Sequence, residues 1–349
     1  MYLDHAATTP LGPEAREAMR PWLEGHFGNP SSVHAAGREA REAVESARET
    51  VAGCIGAQRE EIVFTSGGTE ADNLALSLPG HLAVSAIEHP AVLEPAKKRK
   101  AGLLDVDGEG RVVGKPSGAD LVAVMLVNNE VGTVQRFPKR DYLLHMDAVQ
   151  AAGKIPVDVK ALGCDLLTLS SHKVNGPQGV GALFVRKGVE LPPLLLGGGQ
   201  EGGLRSGTEN VAGIVGFAAA LKAAGPGDSE RLRDRLERLL KNSVPGLRVN
   251  AGGAERAPHI LSVSIDGIDG EAALVRLDRE GISASSGSAC SSEDFQPSHV
   301  LSAMGVSRLQ AKGTLRFSLG KGNTEAEIDK AAAAVARVVK ELRAIFTAL

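Results

Sequence analysis

Lys173 closes a short apolar run, Asp165-Leu-Leu-Thr-Leu-Ser-Ser-His-Lys173, and Asn175-Gly176-Pro177 follows it. This pattern predicts a buried strand that stops and presents a lysine at its C-terminal edge, where open α/β sheets bind ligands. An amine there can form a Schiff base with an aldehyde cofactor. Three further groups fall at comparable positions. Ser66-Gly67-Gly68-Thr69-Glu70 lies between a strand and a helix, where backbone N–H groups and a threonine hydroxyl can cradle a phosphate. Asp147, in His145-Met-Asp-Ala-Val-Gln150, follows another strand and can pair with a protonated ring nitrogen. His89, in Ile87-Glu-His-Pro90, offers an imidazole that can stack on a flat ring. Taken singly, each has an ordinary structural explanation: a lysine reaching for water, a helix N-cap, a satisfied histidine. Occurring together and in order, they describe a site for pyridoxal phosphate.

These groups need a sheet to hold them. Residues 36–53 carry helical periodicity, Glu61–Phe64 reads as a strand, and Thr69–Leu78 as a helix. His81–Ala86, Gly102–Val106, Leu121–Val127, Leu143–Met146, Leu166–Leu169 and Val180–Val185 read as further strands. Strands alternating with helices predict an α/β domain with a mostly parallel sheet. A helix-rich stretch follows from Gly207 to Ser243. After Pro245-Gly246 the pattern restarts with a strand at Ile260–Ile265, a helix at Gly270–Glu280, strands near Ile282–Ala284 and at Thr314–Ser318, and a long helix opened by the capping box Thr324-x-x-Glu327. The expected division is a large domain over 12–245 and a smaller α+β domain over 246–349, with residues 1–11 packed on the latter.

Composition limits the function classes. A chain of 349 residues with 23% charged and 43% hydrophobic residues is ordinary for a globular protein. A net charge of −3 gives no reason to expect nucleic acid or an anionic membrane as partner. The basic run Lys97-Lys-Arg-Lys100 suits the end of a helix, where cations complement the dipole. The N-terminus lacks the basic and apolar regions of a signal peptide, and no apolar run is long enough to span a bilayer, so a cytoplasmic protein is expected. Three widely spaced cysteines, Cys54, Cys164 and Cys290, indicate neither a disulfide framework nor a zinc site, and no metal is expected.

Longer stretches carry a resemblance. They include Tyr2-Leu-Asp-His-Ala-Ala-Thr-Thr9, Phe27-Gly-Asn-Pro-Ser-Ser32, Ile62-Val-Phe-Thr-Ser-Gly-Gly-Thr-Glu-Ala-Asp-Asn73 and Val127-Asn-Asn-Glu-Val-Gly-Thr-Val-Gln135. Gly197-Gly-Gly-Gln-Glu-Gly-Gly-Leu-Arg-Ser-Gly-Thr-Glu-Asn210, Ser285-Ser-Gly-Ser-Ala-Cys290 and Leu315-Arg-Phe-Ser-Leu-Gly320 continue the series. Over nearly its whole length the chain resembles a cysteine desulfurase of the NifS/IscS kind, a class V, fold type I pyridoxal-phosphate enzyme. That resemblance implies an α/β fold with a mostly parallel, seven-stranded-type sheet flanked by helices and a smaller α+β domain. It implies that Lys173 carries the cofactor, that Gly68, Thr69, Ser170 and His172 bind its phosphate, that His89 stacks on the ring and that Asp147 pairs with the ring nitrogen. Asn129 and Gln150 would contact the ring hydroxyl side, and Thr208 would reach the phosphate of a neighbouring subunit, which implies a homodimer. Arg316, helped by Asn29, would grip the substrate carboxylate, a task suited to a guanidinium fork.

Gly197-x-Gly199-x-x-Gly202 also matches the dinucleotide fingerprint, but Pro192 and Pro193 break the strand that should precede it, and Leu204-Arg-Ser-Gly does not continue as a helix. Cys290 lies in Ser283-Ala-Ser-Ser-Gly-Ser-Ala-Cys-Ser-Ser292, a run of small polar residues that fits no core element and predicts an exposed loop thiol. Cys54 and Cys164 read instead as small core residues. The resemblance implies that free L-cysteine reacts at Lys173, that the lysine moves the α-proton, and that the Cys290 thiolate takes the sulfur as a persulfide and leaves alanine. His89 is the candidate base for the thiol. Sulfur would then pass to acceptor proteins such as an iron–sulfur scaffold. The alternative is a related class V lyase or aminotransferase, including a selenocysteine lyase. One departure stands out: between Gln135 and His145 there is too little chain for the usual crossover helix, which predicts a locally uncovered sheet face.

Overall fold

Apolar periodicity sets the helices at the start of the chain. The computed structural model describes residues 1–137, 141–286 and 297–347. Helix α1 (Pro13–Glu24) begins on a proline, whose fixed φ and missing N–H suit a first turn. Helix α2 (Ala35–Cys54) buries Ala40, Val44, Ala47 and Val51 at helical spacing. Ile55, just past its end, fills the next place in that stripe, so Cys54 is exposed and is not the core residue expected. Strands and helices then alternate: β1 (Ile62–Thr65), α3 (Gly68–Ala75), β2 (Leu82–Ser85), α4 (Pro90–Lys98) and β3 (Gly102–Leu104). β4 (Leu121–Ala123), β5 (Leu143–Asp147), α5 (Val159–Leu162), β6 (Leu166–Ser170) and β7 (Gly181–Val185) complete the first sheet region. Helices α6 (Val211–Ala223) and α7 (Ser229–Ser243) follow, then β8 (Leu247–Val249), β9 (Ile260–Ile265), α8 (Gly270–Arg279), α9 (His299–Ala303), α10 (Arg308–Lys312), β10 (Thr314–Ser318) and α11 (Glu325–Thr347).

Seven strands form one sheet in the order β1-β7-β6-β5-β4-β2-β3. Pairs among β2 to β6 are parallel, and β7 runs antiparallel to both its neighbours. The expected mostly parallel sheet is therefore present. Its central strands are buried on both faces, which is why they read as continuous apolar runs. One face packs on α2 and α6, the other on α3 and α4. The connection from β4 to β5 contains no helix among its described residues. The sheet face is nevertheless covered: Val122 and Leu144 are fully buried, and Phe137 and Tyr142 pack over that core with their ring centres 6.4 Å apart. Two aromatic side chains replace the missing helix, so the expected uncovered face is corrected.

β10, β9 and β8 make a three-stranded antiparallel sheet backed by α8 and α11. Residues near Ile282–Ala284, expected to be a strand, make only single bridges: Ser283 to Tyr2 and Ser285 to Arg316. Leu3 is fully buried in this second core. Leu232, Leu236 and Leu240 of α7 lie in it too. We therefore propose that the boundary between the large and small units falls near Gly225–Gly227, before α7 rather than at 245.

Candidate active site

The parallel strands β2, β4, β5 and β6 end side by side, and the segment after each one delivers polar side chains to a single cavity of about 580 Å³. β6 runs into a tight turn, Ser171–Lys173, that carries His172 and Lys173 to its wall. Lys173 Nζ donates to the carbonyls of Ala6 and Ala7, both at 2.6 Å. Burial, followed by the charge of Arg316, pushes the lysine down to about 8, against the pull of Asp147 and Asp4. Asp147 ends β5, and its Oδ1 accepts from the Val149 amide at 2.8 Å. Burial pushes this carboxyl up to about 6, opposed by that amide and by Lys173.

Behind Asp147 lies a layer of buried polar groups. Asp72 of α3 is held well above the usual carboxylate range by burial and by the neighbouring Asp147. Its Oδ1 is 3.5 Å from His145 Nε2, which also meets Thr168 Oγ1 at 3.0 Å. Burial drives His145 down to about 3, so that ring is neutral. Glu88, fully buried and pushed up to about 8 by burial, accepts from the Ser85 hydroxyl and from the Met125 amide at 2.7 Å.

His89 caps α4: its Nδ1 accepts from the Ala91 amide at 3.1 Å. Burial, then Lys173 and His299, hold the imidazole below its usual range, so it is neutral near pH 7 with its hydrogen on Nε2. That tautomer leaves no open lone pair for the base role expected of His89. Arg316 of β10 reaches across from the small sheet. Its guanidinium donates to the Asn129 carbonyl and to Asp4 Oδ1, each at 2.8 Å, while its buried Nε has no partner among the described residues. Gln150 is committed at both ends, donating to the Ala6 carbonyl at 2.9 Å and meeting His259 Nε2 at 3.3 Å.

Gly68, Thr69, Ser170 and His172 line both this cavity and an adjoining one of about 390 Å³ at the start of α3. A Cβ on Gly68 would stand 3.0 Å from Val149 Cγ2 and 3.6 Å from Ser170 Cβ, so the absence of a side chain keeps this corner open. Hydroxyls beside a helix N-terminus, a buried carboxylate and a lysine of lowered basicity match the phosphate, ring nitrogen and aldehyde of pyridoxal phosphate. The donor set fits that cofactor.

Ten of the expected site residues thus share one cavity: Gly68, Thr69, His89, Asn129, Asp147, Gln150, Ser170, His172, Lys173 and Arg316. Asn29 stands apart, exposed before α2 with its Oδ1 accepting from the Ser31 amide at 2.9 Å. Thr208 lines a separate hollow beside Glu201 and Arg205. Cys290 lies outside the described residues. Sequence reasoning missed Asp4, Asp72, Glu88, Glu130 and His299. Asp72 had a signal, since it sits one helical turn after Gly68 and Thr69 and so shares their face.

The family model described as Aminotransferase class-V matches residues 1–331. The chain belongs to the aminotransferase class-V family. Within it, the chain is 44% identical over 377 residues to a protein of Dictyoglomus turgidum called cysteine desulfurase IscS, covering 99% of this chain and 96% of that one. Among solved structures it is similar to a NifS-like protein, with a TM-score of 0.88, 36% identity and coverage of 98% and 100% of the two chains. A second, described as SspA in complex with cysteine, gives a TM-score of 0.80 and 34% identity over 91% of this chain and 98% of that one. These full-length class V likenesses agree with the expected fold type I architecture. No helix among the described residues is long and apolar enough to cross a membrane.

Proposed function

We propose that this class V protein is a pyridoxal-phosphate-dependent cysteine desulfurase, converting L-cysteine to L-alanine with the sulfur retained as a persulfide on Cys290. The observation that carries the reading is the meeting of Lys173, Asp147 and Arg316 in one cavity at the C-terminal edge of the sheet. Lys173 would hold the cofactor, Gly68, Thr69, Ser170 and His172 its phosphate, His89 its ring face, Asp147 its ring nitrogen, and Asn129 and Gln150 its hydroxyl side. Bound there, the cofactor supplies an electron sink for charge developing at the substrate α-carbon.

The protein's own groups do the rest. Arg316 binds the substrate carboxylate. Its Nε is buried without a partner among the described residues, and its Nη2 is already aligned by Asp4. The lowered basicity of Lys173 lets its amine take a proton from the α-carbon near neutral pH. Asp147, ionised above about pH 6, favours a protonated ring nitrogen. Cys290 would act as the thiolate that takes the sulfur, and acceptor proteins such as an iron–sulfur scaffold would remove it.

A homodimer belongs to this reading. Phe27, Val33 and Leu196 are 91%, 85% and 84% exposed, large apolar side chains that a second copy would cover. Thr208 and Asn29 would then serve sites completed by both copies, in the cytoplasm. The test is to incubate the purified protein with sulfur-labelled L-cysteine, locate the label by mass spectrometry and repeat with Cys290→Ala. Label on Cys290, and its loss with the cofactor absorbance retained in the variant, are expected. Undiminished sulfur release by Cys290→Ala would overturn the mechanism. Light scattering should give twice the chain mass.

A further inference from the structure

The Gln150 side chain faces three ways. It lines the cavity, its amide nitrogen donates to the Ala6 carbonyl at 2.9 Å, and its Oε1 stands 3.3 Å from His259 Nε2. The Ala6 carbonyl can only accept, and it takes Lys173 Nζ as well. The amide nitrogen must therefore face Ala6, and the amide oxygen must face His259. Burial, followed by the charges of Lys154 and Arg316, holds His259 well below its usual range, so the ring is neutral. An amide oxygen cannot donate, so the single ring hydrogen sits on Nε2 and points at Gln150. Nδ1 is buried with no hydrogen-bond partner among the described residues. The ring belongs to the small sheet: His259 precedes β9, and its carbonyl accepts from the Leu319 amide, just past β10, at 2.8 Å.

We propose that His259 is a positioning residue for the cofactor site: by donating to Gln150 Oε1 it locks the amide so that the cavity meets an N–H donor. The inference rests on the pyridoxal-phosphate reading and deepens it. The amide nitrogen carries two hydrogens. One goes to Ala6, and with Oε1 held by His259 the other is what Gln150 has left to offer a ligand. An N–H suits an oxygen that accepts, and the ring hydroxyl of pyridoxal phosphate is such an oxygen once its proton is lost. A flipped amide would put its oxygen on the cavity side and against the Ala6 carbonyl, lone pairs facing lone pairs. Because Ala6 is shared with Lys173, the bond to His259 is the one contact that Gln150 does not divide with another donor. His259 is not among the residues lining the cavity, so it acts only through Gln150.

The experiment titrates the cofactor-free protein with pyridoxal phosphate and follows the absorbance, for the unaltered chain, His259→Leu and His259→Gln, each also combined with Gln150→Leu. Leucine removes the donor at similar bulk, whereas glutamine keeps an N–H at much the same reach as Nε2. His259→Leu should raise Kd about three- to tenfold, the worth of one neutral hydrogen bond, and move the absorbance maximum of the bound cofactor. His259→Gln should keep both close to those of the unaltered chain. In the Gln150→Leu background the same substitutions should make little difference, because the residue through which His259 acts is gone. An unchanged Kd and absorbance maximum in His259→Leu overturn the proposal. So does an equal loss in the Gln150→Leu background, which a histidine that merely supports the fold would give. The tautomer is read without the cofactor, by nitrogen NMR of histidine-labelled protein, with the His259 signal assigned by its absence in His259→Gln. A neutral ring with hydrogen on Nε2 near pH 7 is expected, and hydrogen on Nδ1 overturns the proposal. If that tautomer is found but the unaltered protein takes up no pyridoxal phosphate, the lock on Gln150 stands and the cofactor reading fails instead.

Discussion

Lys173 and Asp147 titrate far from their ordinary ranges for one shared reason, and the directions make separate predictions. Burial disfavours the charged form of both, lowering the lysine to about 8 and raising the carboxyl to about 6. Lysine reacts with an aldehyde as the free amine, which exists above its pKa. Covalent attachment of pyridoxal phosphate to the cofactor-free protein should therefore accelerate as pH rises and level off near pH 8, as followed by absorbance. An exposed lysine would level off only about two units higher. Asp147 must be ionised to serve a protonated ring nitrogen. Its protonation below about pH 6 should give kcat an acid limb, and Asp147→Asn should remove that limb while lowering kcat roughly 10²–10³-fold. The positions of these two residues were legible because each follows an apolar run. The layer behind them was not. Asp72, Glu88 and His145 come from three separate segments, and their proximity exists only once the strands are paired.

At the level of elements, the strand positions followed from apolar runs bounded by turns, but the direction of β7 did not. Its orientation had a readable cause: Ser171–Val180 is too short for a parallel crossover, so β7 must return antiparallel to β6. This return brings Gly181 against the turn that opens α3. A Cβ there would sit 2.7 Å from the Gly67 backbone and from the Leu169 carbonyl oxygen. Backbone cannot yield as a side chain can. Gly181→Ala should cost about 1–3 kcal/mol, seen as a lower urea midpoint with an unchanged slope. It should also weaken cofactor binding, because relief of the clash moves the Gly67–Gly68 turn. The crossover between β4 and β5 shows the opposite failure of inference. Chain length argued against a helix, and none lies among the described residues of the connection, but it could not reveal that Phe137 and Tyr142 would cover the sheet in its place.

Over the whole molecule, the first nine residues join what the two sheets hold separately. Leu3 is buried with the small sheet, Ala6 and Ala7 supply carbonyls to Lys173, and the Thr9 hydroxyl donates to the His172 carbonyl at 2.7 Å. Leu3→Ala should cost about 2–5 kcal/mol in thermal or urea unfolding. It should also reduce cofactor retention, measured by dialysis and absorbance, although Leu3 is not among the residues lining the cavity. A stability loss with cofactor affinity untouched would show that the segment serves only the small core.

The same segment sets an order of events in the making of the protein. The His5 amide is bonded to the Ser318 carbonyl at 3.1 Å, and the Ala6 amide to the Ser318 hydroxyl at 2.8 Å. Residues 5 and 6 therefore wait on the ribosome for residue 318, roughly 15–60 s at ordinary elongation rates of about 5–20 residues per second. Until β10 emerges, the carbonyls that receive Lys173 have no fixed place, and Arg316 is only just being added. The reactive lysine thus acquires its surroundings only after β10 has been made, so a nascent chain cannot assemble the complete site early.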